Sequence, residues 1–239
     1  MKSFRPLMAA LAVSLALPLP AIAQDSRVAF DLHFMGLRAG AFAFSAAERD
    51  ADYAVTGRLE STGLVGAIRK VRYDAQVTGR RAADRFVPAS YQESSDNGRR
   101  QVESRMNFQA GVPQVMSYSP PREPSERDVD PATQAGTVDP LTALYAVLRD
   151  VPVAEACQAR LAIFDGRRRS EVAVGNAQAN GNRITCNGEY RRVAGYSERD
   201  MAERRVFPFN MTYVVDGDIA RVTEVTTDSI YGRAVMRRR

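Results

Sequence analysis

The 239-residue chain has a formal net charge of +5 at pH 7, with one histidine and two cysteines. That length gives a single β-rich domain room for a proper core. Nearly all the positive charge is arginine, which fits a coding bias better than a nucleic-acid surface, and so few histidines and cysteines argue against a clustered zinc site.

Residues 1–23 have a basic start (Lys2, Arg5), an apolar run from Leu7 to Leu19, and Ala21-Ile22-Ala23. This three-part layout predicts a secretory signal peptide cleaved after Ala23, leaving residues 24–239 as one periplasmic domain. The apolar run is short and ends at Pro18 and Pro20, so it spans a bilayer poorly. No cysteine follows the cleavage position, which argues against a lipoprotein anchor, and no transmembrane segment is expected in the mature chain.

Residues 27–34 alternate, with Val28, Phe30, Leu32 and Phe34 on one side, the pattern of a half-buried strand. Gly36 and Gly40 bracket a turn before a second strand over 41–48. Tyr53, Val55, Gly57 and Leu59 keep the period of two. Gly63 and Gly66 predict a loop or bulge, followed by a strand with Val71, Tyr73, Ala75 and Val77 inward. Residues 85–94 and 99–109 flank Asn97-Gly98, a hairpin signal. A short strand over 112–118 follows. Residues 119–137 hold Pro120, Pro121, Pro124 and Pro131 and few large apolar groups. They read as a long exposed loop, either a linker or a flap over a cavity.

Residues 139–149 read as the one helix. Asp139 is placed to cap it, Pro140 suits its first position, and Leu141, Leu144, Tyr145 and Leu148 form one apolar stripe. Arg149 closes the last turn, and Pro152 prevents continuation. Beyond it, residues 160–164 and 170–174 flank Asp165-Gly166, and 206–215 and 219–227 flank Asp216-Gly217. Asn180-Gly181 and Asn187-Gly188 bracket a run containing Cys186. Residues 230–236 give a last short strand. Turn signals this close together predict an antiparallel meander.

Cys157 and Cys186 are expected to form one disulfide in an oxidising compartment. It would close a loop of about 30 residues, worth roughly 3.5 kcal/mol on the chain-entropy argument. The alternative, a redox or metal pair, lacks a C-x-x-C spacing. His33 is expected to be a strand histidine with a satisfied hydrogen bond rather than a catalytic base. No nucleophile elbow, phosphate loop or dinucleotide fingerprint occurs. The carboxylate pairs Glu198/Asp200 and Asp216/Asp218 lie beside turns and look solvated. Arg167–Arg169 and Arg237–Arg239 read as a solubilising edge and a frayed tail, with contact to anionic envelope polymers or lipid headgroups as the alternative.

Asp139-Pro140-Leu141-Thr142-Ala143-Leu144-Tyr145 resembles the helix motif of the bacterial exported domain-of-unknown-function family 3108. Phe164-Asp165-Gly166-Arg167 is similar to that family's later hairpin. The first two strands and Thr62 to Gly66 look like its N-terminal half, so that the likeness spans nearly the whole mature chain. The cysteine pair and the Leu148-Arg149 helix end depart from the pattern. The resemblance implies an exported, β-rich protein, not a reaction. The chain also looks distantly like spiral-sheet envelope-integrity proteins and half-barrel lipoprotein carriers, which is fold-level analogy only.

The expected fold is mostly β: a strongly curved antiparallel sheet, a spiral or incomplete barrel, wrapped around one short helix. Leu141, Leu144, Tyr145 and Leu148 would face its concave side, so that Leu144→Asp should prevent folding. Phe30, Phe34, Phe42, Tyr53 and Tyr73, with Phe44, Phe207 and Phe209, are candidates to line a ligand cavity. The expected function is that of a non-enzymatic envelope factor binding an apolar or amphipathic ligand or an envelope protein. One alternative is a purely structural protein acting through its outer surface. Another is an enzyme using distant carboxylates. No cofactor, catalytic residue, metal or nucleic-acid partner is expected.

Overall fold

The computed structural model describes residues 24–68, 70–83, 85–229 and 232–239. The expected signal peptide, residues 1–23, and Ile230 of the expected last strand therefore lie outside the described residues. The alternating runs form long strands: β1 (Gln24–Phe34), β2 (Leu37–Arg49), β3 (Asp52–Ser61), β4 (Arg72–Ala82), β5 (Arg85–Asp96), β6 (Gln101–Gln109) and β7 (Val112–Ser119). After the central helix come β8 (Val151–Pro152), β9 (Arg160–Phe164), β10 (Arg169–Asn180), β11 (Arg183–Ala194), β12 (Val206–Asp216), β13 (Ile219–Ser229) and β14 (Gly232–Arg238).

One antiparallel sheet runs β7-β6-β5-β4-β3-β2-β1-β14-β13-β12-β11-β10-β9, with β8 added beside β13. Every neighbour on that path is consecutive in sequence except β1 and β14, whose pairing (Phe30 opposite Arg238, Phe34 opposite Ala234) joins two meanders into one wall. The C-terminal arginines are thus not a frayed tail. Arg237 pairs with Glu224 at 2.8 Å, Arg238 with Asp150, and Arg239 with Asp31 at 2.7 Å.

The central helix, α2 (Pro140–Leu148), begins as the sequence implies. Asp139 is its N-cap, with one carboxylate oxygen accepting from the Thr142 amide at 2.9 Å, and Pro140 occupies the first turn. Arg149 is the C-cap and donates its backbone N–H to Tyr145. The helix crosses the barrel interior, and Gly57 on β3 is what lets it sit so close. A Cβ there would stand 2.5 Å from Leu141 Cδ1.

Two short helices were not foreseen. The Gly63/Gly66 stretch forms α1 (Gly63–Ile68) rather than an open loop. Residues Glu198–Glu203 form α3, where Ser197 and Asp200 make a reciprocal capping box, so Asp200 is a cap and not a solvated carboxylate. Asn187-Gly188 is no turn but lies within β11. A Cβ at Gly188 would meet the Phe209 ring at 2.2 Å, so the absent side chain makes room for an aromatic from the next strand. The Asn97-Gly98 turn exists in a wider form: only Gly98 has positive φ, and Asn97 Oδ1 accepts from the amides of Arg99 and Arg100.

The proline-rich segment is not a free loop. The sheet's two end strands, β7 and β9, do not pair with each other, and residues 119–138 close the gap between them. Gly136 donates to the Gly111 carbonyl at 2.9 Å, beside β7. Val138 forms a parallel bridge with Ile163 of β9, donating to Ala162 and accepting from Phe164, each at 2.9 Å. Asp128 binds Arg122 at 2.6 Å and Arg167 at 3.2 Å, and Tyr118 Oη donates to the Gly166 carbonyl at 3.1 Å. Gln134 and Thr137 are buried. Arg167 is therefore part of the seam, and Arg168 lies over the Tyr196 ring at 5.2 Å.

Candidate functional site

Inward-facing positions divide the barrel into two levels. Level with α2 they are buried: Phe30, Phe42, Phe44, Tyr53, Val55, Val77, Phe86, Met211, Tyr213 and Val222 pack against Leu141, Tyr145 and Leu148. Phe44 and Phe86 meet the Tyr145 ring edge-on at 5.5 and 5.7 Å. Phe30, Phe42 and Tyr53 are consequently core rather than cavity lining. Toward the end that carries the β1–β2 turn, the inward side chains Leu32, Leu59, Tyr73, Phe209, Val225 and Met236 are only half-buried. Their register puts them on one surface: Leu59 lies opposite Tyr73, and Leu32 opposite Met236, which lies opposite Val225. Phe34 and Phe207 are also half-buried. The helix thus fills one half of the barrel, and toward the other end the inward apolar side chains pack against the edge of the core while staying half-exposed.

Leu144 does not face the interior. It is 36% exposed, whereas Leu141 is fully buried. Leu141, Tyr145 and Leu148 of the expected stripe are buried, and the buried face of α2 also includes Thr142, Ala143 and Val147. Leu144 is the residue of the stripe that reaches solvent.

Between the two levels lies a polar floor. Thr142 Oγ1 donates to the second Asp139 oxygen at 2.6 Å and meets Tyr53 Oη at 3.0 Å. Nearby, Glu93 accepts from Tyr91 at 2.5 Å and Tyr73 at 3.0 Å, and the two hydroxyls touch each other. Glu93 points inward because its β-sheet partners Ala75 and Ser104 do. Burial pushes the Asp139 carboxyl up to about 6, against the pull of the Thr142 hydrogen bonds. Burial also raises the hydroxyls of Tyr73 and Tyr91, helped by the charges of Glu93 and Asp139. Both remain neutral donors at any physiological pH. Asp139 itself has no solvent exposure and holds Thr142 with both oxygens. Glu93 and Tyr91 were missed in the sequence, although counting by twos from the Asn97-Gly98 turn puts both on the inward face.

Cys157 and Cys186 are bonded, with Cα atoms 5.6 Å apart. Cys186 is an inward residue of β11 and Cys157 lies just past the helix exit, so the bond fastens that exit to the barrel wall. His33 sits at an irregularity in the β1–β2 register, and its Nδ1 is buried without a hydrogen-bond partner, contrary to the satisfied strand histidine expected. Among the described residues no group of three or more His, Cys, Asp and Glu converges as a metal site. Nor is any described helix long and apolar enough to cross a membrane.

The wall, the plug and the seam define a β-barrel-like protein built around a central helix. The chain belongs to the family described as protein of unknown function DUF3108, which matches residues 29–194. The match ends with β11, so that β12, β13 and β14 complete the barrel beyond it, and the likeness is shorter than the near-complete span expected. Its two motifs touch in space: the residue before Asp139 is bridged to the strand that ends in Phe164. Among solved structures, the chain is similar to a beta-barrel-like protein of family DUF1849 from Brucella abortus, at 13% identity and a TM-score of 0.49, covering 92% of this chain and 97% of that one. No curated protein matches.

Proposed function

We propose that this protein is a non-enzymatic, exported cell-envelope factor that binds an apolar or amphipathic ligand at the half-buried end of its barrel. The observation that carries the reading is the change in burial along the inward face. Aliphatic and aromatic side chains that should pack a core stay half-buried above the helix, and apolar surface of this kind with a few convergent polar groups is what small-molecule sites offer. Tyr73, Tyr91 and Glu93 supply those groups. The hydrogen bonds already taken by Asp139 and Glu93 favour orientation over catalysis. Export rests on residues 1–23 and on the cysteine pair.

A purely structural role is the second reading, favoured by the helix and aromatics that occupy the other half of the barrel. Native mass spectrometry with lipid extraction, on protein purified gently from the periplasm, separates the two. The proposal expects a co-purified apolar molecule that is lost in Leu59→Trp, which narrows the lining. An empty wild-type barrel that also refuses added lipid would leave the structural role.

A further inference from the structure

At the end of the barrel away from the half-buried lining, a cleft of about 530 Å3 opens between the β4–β5 turn, the exit of α2 and the start of β9. Among the described residues, four arginines line it, Arg81, Arg85, Arg149 and Arg160, against one carboxylate, Glu155. Arg81 and Arg149 stack over the Phe86 ring at 5.3 and 5.8 Å. Arg81 also pairs with Glu48 at 3.2 Å, and Arg149 with Glu155 at 2.9 Å. These contacts hold the two guanidinium groups in place, and both are mostly shielded from solvent. Arg85 and Arg160 are exposed and make no ion pair with any described residue. Val138, Val151, Leu161 and Tyr213 supply an apolar floor.

We infer that this cleft binds an oxyanion, a phosphate or carboxylate group, with any attached apolar body resting on that floor. Guanidinium groups gathered in one concavity repel one another and focus a positive potential into it. Two of them already have fixed positions, so little order is lost when an anion accepts from them. Their planar donor sets match the oxygens of phosphate and carboxylate. The volume lies within the ordinary range for small ligands.

Isothermal titration calorimetry at low ionic strength tests this with phenyl phosphate, inorganic phosphate and phenol. Phenyl phosphate should bind saturably at one equivalent, inorganic phosphate more weakly, and phenol not at all. Arg85→Gln with Arg160→Gln should weaken phosphate binding at least tenfold while leaving the melting temperature unchanged, since both side chains are exposed and neither makes an ion pair among the described residues. Glu155→Gln, which removes the opposing negative charge while the Phe86 ring still holds Arg149, should tighten it severalfold. Equal affinity for the two phosphates would assign the cleft to free oxyanions rather than to an anionic amphiphile. Absence of saturable binding, or binding indifferent to the double substitution, would overturn the inference.

Discussion

Asp139 combines a cap, a buried charge and a family motif in one side chain. Its carboxyl titrates at about 6 in the folded protein against an ordinary 3.8. The folded state therefore holds a proton between those values that the unfolded chain has released. The resulting stabilisation is complete below about pH 3.8 and is lost as pH rises through about 6, a swing on the order of 3 kcal/mol. In Asp139→Asn the amide oxygen still caps the Thr142 N–H but the titration is gone. Urea unfolding at pH 7 and pH 4 should show a stability advantage of the variant over wild type that shrinks by that amount on acidification. A constant difference between the two would place the titration elsewhere. Leu141 and Leu144 give a paired test of the helix face. Leu141→Asp buries an unpaired charge and should abolish folding, while Leu144→Asp, whose side chain reaches solvent, should cost about 1–2 kcal/mol without preventing folding. The expectation that Leu144 is central is thereby reversed. Gly57→Ala forces a methyl group into Leu141 and should cost roughly 1–3 kcal/mol, read as a fall in the denaturation midpoint.

At the level of elements, strands and cap were legible while the seam was not. Alternation located most of the strands because each has one buried face, and that signal is local. The Asp139-Pro140 start of α2 was equally plain, since a cap bonds within its own first turn. What the sequence hid depends on distant partners. Gly188 reads as a turn residue until Phe209 is placed across it. Residues 119–137 look unstructured because their ties, Asp128 to Arg167 and Val138 to Ile163, reach across roughly 25 to 40 positions. The division of the barrel into packed and half-packed levels was likewise invisible, because it depends on how far one short helix reaches. Asp128→Ala removes the carboxylate shared by Arg122 and Arg167. It should raise amide hydrogen exchange across residues 119–137 and leave the interior of β1–β3 protected.

For the whole molecule, the disulfide and the two-level interior serve different ends. The Cys157–Cys186 bond ties the segment leaving the plug to the far wall, so Cys157→Ser with Cys186→Ser should lower stability by roughly 3.5 kcal/mol without altering the half-buried end. Binding of the proposed ligand by that double variant should match wild type at a temperature where both are folded. The pairing of β1 with β14 has a consequence for biogenesis. Each meander gathers from neighbours close in sequence, but the two can be sutured only when the final seven-residue strand, Gly232–Arg238, has been made. A nascent chain therefore carries an open β1 border until Gly232–Arg238 has left the ribosome, which withholds that stitch. Nothing the chain forms before that point is the finished barrel.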